Sequence, residues 1–163
     1  ALTGVGGGGA MELISKTTVS SSASSVSITG LVQDAYYLVV ARKIIFSTNT
    51  KLELGFLNSS GNYISTSGYI SYYRSGASIL TGTTNLLNCY AGGDTTGYNF
   101  FIRLSTASNQ NGGYFKGTSA GTQNWCDIHF QTGTTGIYGL FIQSQSGTIN
   151  TGSTFLVYKF KES

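Results

Sequence analysis

The chain has 163 residues, of which 40% are hydrophobic and only 9% are charged. This length fits one domain, and the composition is too apolar for an intrinsically disordered chain. The nine basic residues are scattered and give a net charge of +3, which is unlike the basic stripe of a nucleic-acid-binding domain. No apolar run approaches the roughly 20 residues of a membrane span. We therefore expect one globular domain that binds neither nucleic acid nor a membrane.

Residues 1–10, ALTGVGGGGA, predict a flexible Gly-rich arm that is separate from the domain. Its four consecutive glycines are entropically costly to order. A disordered terminus is one interpretation. An anchor is the other, because Ala1, Leu2 and Val5 are apolar residues in a segment without strand alternation. We predict that the arm orders against a neighbouring protein, and that residues 11–163 form the domain.

The longest apolar segment, residues 36–57, predicts a central β-hairpin. Its first half is dense in Val, Ile, Leu and aromatic residues, which favour strands. Residues 48–50 then supply short polar side chains that suit a turn. Residues 51–57 alternate with the period of two that is typical of a strand with one wet face. Because both strands are apolar, we expect a second sheet to cover them.

Short strands separated by Gly, Ser, Thr and Asn turns fill the rest of the chain. The expected strands cover residues 11–19, 26–31, 69–74, 86–90, 98–105, 124–130, 137–143 and 154–160. No long window shows helical spacing with capping residues. About ten strands without a helix favour an all-β, antiparallel β-sandwich with jelly-roll-like wiring.

Two polar stretches predict loops. Residues 75–85 have a loop-like composition, and residues 106–123 form the longest segment rich in Asn, Gln, Gly, Ser and Thr. Loops longer than about 12–15 residues are usually functional or disordered. Tyr114 and Phe115 lie in the middle of the second stretch, and Trp125 follows it. These aromatic side chains suit contact with a saccharide or a protein partner, and simple packing is the alternative.

A tyrosine-rich segment predicts self-association. Tyr69, Tyr72 and Tyr73 place aromatic side chains on both faces of one expected strand. One face can pack into the core, whereas the other needs cover, and exposed apolar patches of several hundred Å² usually mark interfaces. Closed cyclic symmetry is the usual arrangement of soluble homo-oligomers. We therefore predict a homo-oligomer, with a trimer favoured.

No residue pattern indicates catalysis, a metal or a cofactor, so we predict a non-enzymatic protein. His129 is the single histidine, and no Gly-x-Ser-x-Gly turn marks an activated serine. Cys89 and Cys126 do not form a zinc-ligand pattern with that histidine. The start of the chain lacks the basic and apolar regions of a signal peptide. We expect assembly in a reducing cytoplasm, and whether the two cysteines pair stays open.

Both ends of the chain resemble one group of proteins. Residues 11–31, MELISKTTVSSSASSVSITGL, are similar to the opening of small tailed-phage virion proteins. Those proteins begin with an E-L-I-S strand, a T-V-S-S turn and a second strand of alternating Ser and apolar residues. Residues 151–161, TGSTFLVYKFK, resemble their last strand, and the two segments cover about a fifth of the chain. The resemblance implies a jelly-roll-like β-sandwich on a phage particle.

The resemblance implies two alternative functions. The first is a capsid decoration (cement) protein, which binds the outer shell through the major capsid protein or another virion protein. The second is a tail-fibre or spike module that recognises a host surface saccharide through residues 106–123 and Trp125. Either protein is assembled in the host cytoplasm and located on the virion. Repetition on the particle makes weak individual contacts sufficient.

Overall fold

The computed structural model describes residues 10–48, 50, 52–64, 69–75, 78–84, 87–89, 98–106, 112–119, 125–131 and 136–161. For residues 69–75, 78–84, 87–89, 98, 112–119 and 125–131, this description covers the strands and their pairing. The described residues contain twelve strands and no helix. The strands are β1 (Met11–Thr18), β2 (Ser25–Thr29), β3 (Tyr36–Ile44), β4 (Leu52–Leu57), β5 (Tyr69–Ser75), β6 (Ser78–Thr84), β7 (Leu87–Cys89), β8 (Tyr98–Ser105), β9 (Gly112–Ser119), β10 (Trp125–Gln131), β11 (Gly139–Ser144) and β12 (Thr154–Phe160).

The strands form two antiparallel sheets. The larger sheet has eight strands in the order β1-β12-β3-β8-β9-β10-β5-β6, and the smaller has four in the order β2-β11-β4-β7. Successive strands lie in different sheets at every step of the chain except β5 to β6, β8 to β9 and β9 to β10. Two sheets that face each other with apolar inner surfaces make a sandwich. The predicted all-β, antiparallel, sandwich-like fold is therefore confirmed.

The core lies between the smaller sheet and the β12-β3-β8 part of the larger one. Alternate residues of each strand enter it, as the period of two requires. Val39, Ile102 and Val157 of the larger sheet are at most 1% exposed, and Leu54 and Ile142 of the smaller sheet are completely buried. The inner faces of the two sheets therefore cover each other, and this packing fixes the direction of the outer faces.

The predicted hairpin over residues 36–57 is wrong. Both of its strands exist, but β3 pairs with β12 and β8 whereas β4 pairs with β11 and β7. A hairpin would place both apolar strands in one sheet, and each would still need cover from elsewhere. Crossing between the layers lets Val39 of β3 and Leu54 of β4 enter the same core. Ile44 and Phe46 are also buried there, so the crossing itself adds to the core.

The loops predicted over residues 75–85 and 106–123 are also wrong, because β6 and β9 lie within them. β9 is hydrogen-bonded on both sides, by β8 and by β10. Pairing with two neighbours, rather than intrinsic preference, therefore keeps its Gly- and Thr-containing sequence extended. These two strands raise the number of strands above the expected ten or so.

Three crossings between the sheets meet at one end of the sandwich. The buried Ile149 forms isolated bridges with Ala23, between β1 and β2, and with Phe46, between β3 and β4. The N–H of Thr148 donates to Ser47 Oγ at 2.8 Å, and the N–H of Ser47 donates to the Thr148 carbonyl at 3.0 Å. Short polar side chains thus satisfy backbone groups that a crossing leaves without strand partners.

At this end of the sandwich, Gly147 lies close to the β3–β4 crossing. It adopts a φ of +75°, and a Cβ there would lie 2.5 Å from Ser47 Oγ and 2.6 Å from Thr48 Oγ1. Both hydroxyls are already engaged, with the Thr148 N–H and the Ser146 carbonyl respectively. Gly152 has a φ of +90° but has nothing within 4 Å of such a Cβ. Substitutions at these two glycines therefore distinguish the cost of backbone strain from the cost of steric overlap.

We expect Gly147→Ala to be more destabilising than Gly152→Ala. Both substitutions force a left-handed conformation, which costs about 1–2 kcal/mol. Gly147→Ala should lower the free energy of unfolding by about 1 kcal/mol more, because a hydroxyl must give up its hydrogen bond to make room. Urea denaturation of the two variants measures the difference. Equal losses would contradict the close packing of the crossings.

At the opposite end of β3, a buried threonine holds the connection from β2. The Thr106 N–H donates to the Ala35 carbonyl at 3.0 Å, and its hydroxyl accepts the Ala35 N–H at 3.1 Å. The same hydroxyl lies 2.7 Å from the carbonyl of Val32, and the Tyr37 hydroxyl accepts the N–H of Val32 at 2.8 Å. These contacts fix the start of β3 and therefore the position of Tyr36 at its first residue.

Candidate functional site

The outer face of the larger sheet is apolar over β1, β12, β3 and β8. Register places Leu156, Val40 and Phe101 side by side on β12, β3 and β8. A second row holds Leu13, Tyr158 and Leu38 on β1, β12 and β3. We call these six residues the outer apolar face. On β12, β3 and β8 the alternating neighbours of these residues point into the core, so this face is the one turned away from the smaller sheet.

The exposure of this face increases toward its rims. Tyr36, which precedes Leu38 by two positions on β3, is 62% exposed. On β1, the first strand of the sheet order, Met11 is 41% exposed and Leu13 is 49% exposed. A register shift at Leu13–Ser15 leaves Ile14 in a bulge at 40% exposure. Bulges are common at sheet edges, where they discourage pairing with another strand. A partner would therefore contact the side chains of this face rather than pair with the backbone edge of β1.

Three cations accompany the outer apolar face. Lys16 pairs with Leu156, Arg103 pairs with Leu38, and Arg42 pairs with Thr154, so all three occupy outer register positions. Glu12 is the one acidic residue in these four strands. It pairs with Lys159, and Lys159 pairs with the core residue Tyr37, so Glu12 occupies an inner register position. The face thus combines an apolar centre with cations, and none of the outer positions in these four strands carries an acid.

A second, smaller patch lies on the outer face of the four-stranded sheet. Tyr63 and Phe141 have ring centroids 5.3 Å apart at an angle of 42°. Next to them, the Gln143 amide donates a hydrogen bond to the Glu53 carboxylate. Burial raises the pKa of the Tyr63 phenol above its usual value, and the Glu53 charge adds to the rise. The phenol is therefore neutral at neutral pH and able to donate a hydrogen bond.

A tight turn positions Tyr63 in this patch. The Asn58 side-chain oxygen accepts the N–H groups of Ser60 and Asn62, each at 3.0 Å. Tyr63 then bridges back to Leu57. Asn and Gly turn chemistry predicts the turn, but sequence reasoning did not place Tyr63 beside Phe141. The side chains of Glu53, Tyr63, Phe141 and Gln143 are all half-buried, so they present an aromatic and polar surface.

The predicted ligand-contact residues lie in the distal half of the larger sheet. Tyr114 and Phe115 are successive residues of β9, and they pair with His129 and Ile128 respectively. Trp125 starts β10 and pairs with Thr118. Alternation along β9 puts Tyr114 and Thr118 at positions of one face and Phe115 at a position of the other. The sheet therefore groups the Tyr114 and Trp125 positions and separates Phe115 from them.

The predicted oligomer-contact tyrosines lie in β5, between β10 and β6. Tyr72 pairs with His129, Tyr73 with Ile128, and Tyr69 with Thr84. Because β5 has a partner strand on both sides, its backbone cannot pair with another copy of the chain. Register brings Tyr72 and Tyr114 to either side of His129, so residues from both predicted groups share one row.

The predicted anchor residues Ala1, Leu2 and Val5 lie outside the described residues. Within the described part of the chain, no three His, Cys, Asp or Glu residues come together as a metal site. The same part contains no helix of the length and apolarity that crossing a bilayer requires. Neither a protein-family model nor a curated protein matches this chain.

Proposed function

We propose that the chain is a non-enzymatic structural protein of a tailed-phage virion, and specifically a capsid decoration protein on the outer shell. The outer apolar face is the observation that carries this proposal. Monomeric proteins rarely expose contiguous apolar patches larger than a few hundred Å², and larger ones mark interaction sites. A protein that works while bound to a shell keeps such a face covered. Its partner is the major capsid protein or another virion protein.

The position of the two segments that resemble phage virion proteins supports the proposal. Residues 11–31 contain β1, and residues 151–161 contain β12. These strands pair with each other from Met11 opposite Phe160 to Thr18 opposite Thr154. Sequence segments from opposite ends of the chain therefore form one continuous surface, and that surface includes the exposed Met11 and Leu13.

We also infer that the wiring is a jelly roll that carries two insertions. Without β5, β6, β9 and β10, the sheet orders become β1-β12-β3-β8 and β2-β11-β4-β7. Two four-stranded sheets, connected mostly by crossings between them, are typical of the double-sheet jelly roll. The paired strands β5–β6 and β9–β10 then extend one sheet beyond the sandwich. Residues 1–9 are proposed as the anchoring arm of this domain.

Pairing in the larger sheet also favours the alternative function, a saccharide-binding module of a tail fibre or spike. Register gives Tyr114 and Trp125 positions on the same face of β9 and β10. Aromatic side chains on one face suit stacking against sugar rings, as they suit other amphipathic ligands. Homo-oligomerisation, with a trimer favoured, fits both functions because closed cyclic symmetry suits shells and fibres alike.

The copy number on purified particles tests the proposal. We expect many copies per particle, in a fixed ratio to the major capsid protein, because decoration follows the repeating shell. Quantitative mass spectrometry of purified particles measures this ratio. A copy number of about a dozen or fewer would instead indicate the tail. In that case, saccharide binding that is lost in both Tyr114→Ala and Trp125→Ala would favour the alternative.

A further inference from the structure

We propose that the outer apolar face, together with Lys16, Arg42 and Arg103, is the surface that binds the shell, and that its partner is an acidic protein surface with an apolar centre. This inference rests on the proposed function and adds the binding face and the chemistry of the partner to it.

The apolar centre of this surface is continuous across four strands. Leu156, Val40 and Phe101 are neighbours in one row, and the adjacent row adds Tyr158 and Leu38. Apolar and aromatic groups at the centre with charges around them are the usual anatomy of a protein–protein interface. The exposed Tyr36 and Leu13 extend the centre toward its rim, where a partner would cover them.

The face is held rigid by the layer beneath it. β3 and β12 are hydrogen-bonded on both sides, and their inner residues Val39 and Val157 are packed in the core. Thr106 and Tyr37 fix the chain where it enters β3. A surface on such strands loses little conformational freedom when it binds, which favours affinity.

Charge decides which kind of partner fits. Lys16, Arg42 and Arg103 occupy outer positions, and the outer positions of these four strands hold no acid. On the neighbouring strands, Asp127 lies two strands beyond Phe101 and pairs with Lys116. Asp34, two residues before Tyr36, is the acid at the rim of the face. A second copy placed face to face would oppose cations to cations, which is costly. Three cations around an apolar centre are also sparse for a phosphate backbone. An acidic protein surface satisfies both parts of the face.

Variants of matched exposure test the apolar part. Leu13→Ser acts on the face, whereas Val32→Ser acts in the connection between β2 and β3, and both wild-type side chains are 49% exposed. Tyr36→Ser is a second variant of the face. Shells assembled without this chain are titrated with each purified full-length protein, and the bound fraction is measured by co-sedimentation. We expect Leu13→Ser and Tyr36→Ser to weaken binding at least about tenfold, as truncation of an interface hot spot does. Val32→Ser should stay within about twofold of the wild type.

Charge reversal tests the electrostatic part. The pair Lys16→Glu and Arg103→Glu is compared with the pair Lys159→Glu and Lys161→Glu, which changes the net charge equally outside the face, because Lys159 pairs with the core residue Tyr37 and Lys161 follows it by two positions. We expect about a tenfold or larger loss for the first pair only, and weaker wild-type binding as salt rises. The neutral pair Lys16→Gln and Arg103→Gln should give an intermediate loss. If the Lys16→Glu and Arg103→Glu pair lowers the thermal midpoint of the protein, the neutral Gln pair is used for the test instead.

The outcomes separate this inference from the proposed function. Shell binding that is unchanged in all variants of the face, or equally weakened by the control pair, would overturn the inference and leave the decoration role intact. Failure of the wild-type chain to bind shells would contradict the decoration role itself. Preferential binding of the wild type to phosphatidylserine vesicles or to duplex DNA, rather than to shells, would assign the face to a different class of partner and overturn the inference.

Discussion

Replacing Phe155 with Ala should lower the free energy of unfolding by about 3–5 kcal/mol. Phe155 lies on β12, is completely buried, and has its ring centroid 6.2 Å from that of Phe100 at an angle of 57°. Removing the ring deletes buried apolar surface and leaves a cavity between two strands that are held by pairing on both sides. Such a site cannot collapse, so the loss should fall in the upper part of the usual range.

Two controls make this expectation specific. Phe155→Leu conserves most of the volume and should cost less than about 1.5 kcal/mol. Tyr158→Ala removes a ring from the same strand but from its half-exposed outer position, so we expect a smaller loss than for Phe155→Ala. Guanidinium denaturation followed by far-UV circular dichroism measures all three variants. A loss of less than about 1 kcal/mol for Phe155→Ala would place the ring outside a close-packed core.

Gly139→Ala should lower the free energy of unfolding by about 3 kcal/mol, at the upper end of the usual cost of overpacking. Gly139 pairs with Thr29 of β2 and with Leu57 of β4. A Cβ there would lie 2.4 Å from the carbonyl oxygen of Ile28 and 2.9 Å from Leu57 Cδ1. The carbonyl belongs to the backbone of a paired strand, so relief of the overlap must distort the smaller sheet.

Gly30→Ala is the matched control for this substitution. Gly30 has a φ of +84° and nothing within 4 Å of an added Cβ. Its substitution should therefore cost only the left-handed conformation, about 1–2 kcal/mol. Urea denaturation distinguishes the two variants. A loss for Gly139→Ala that is no greater than the loss for Gly30→Ala would show that β2 and β4 do not approach Gly139 so closely.

Local pattern predicts the strands better than their partners. The apolar character of residues 36–44 and the alternation in residues 52–57 indicate strands correctly, because side-chain direction follows the backbone period. Whether two successive strands pair or face each other depends on contacts with β8, β11 and β12, which are distant in sequence. The same limitation explains β9, whose polar sequence is extended because of its neighbours.

The candidate site was less predictable than the fold. The nearly continuous apolar run in β3 is typical of a strand that is buried on both faces, yet Tyr36 is 62% exposed. Which face is covered depends on the width of the smaller sheet, and no local pattern encodes that width. The contact between Tyr63 and Phe141 likewise joins separate elements of the smaller sheet. Sequence identified aromatic residues as candidates for contact, but pairing determines which of them share a surface.

The pairing of β1 with β12 has a consequence for synthesis of the protein. Thr18 and Thr154, which face each other across these strands, are 136 residues apart in the chain. At about 5–20 residues per second, a ribosome needs on the order of 10 s to add the residues between them. During that interval the nascent β1, with Met11, Leu13 and Ile14, has no native partner strand. Long-range pairing of this kind also slows folding itself, typically to milliseconds or seconds. β1 thus leaves the ribosome before the other described strands and must wait for β12 before it can join the sheet.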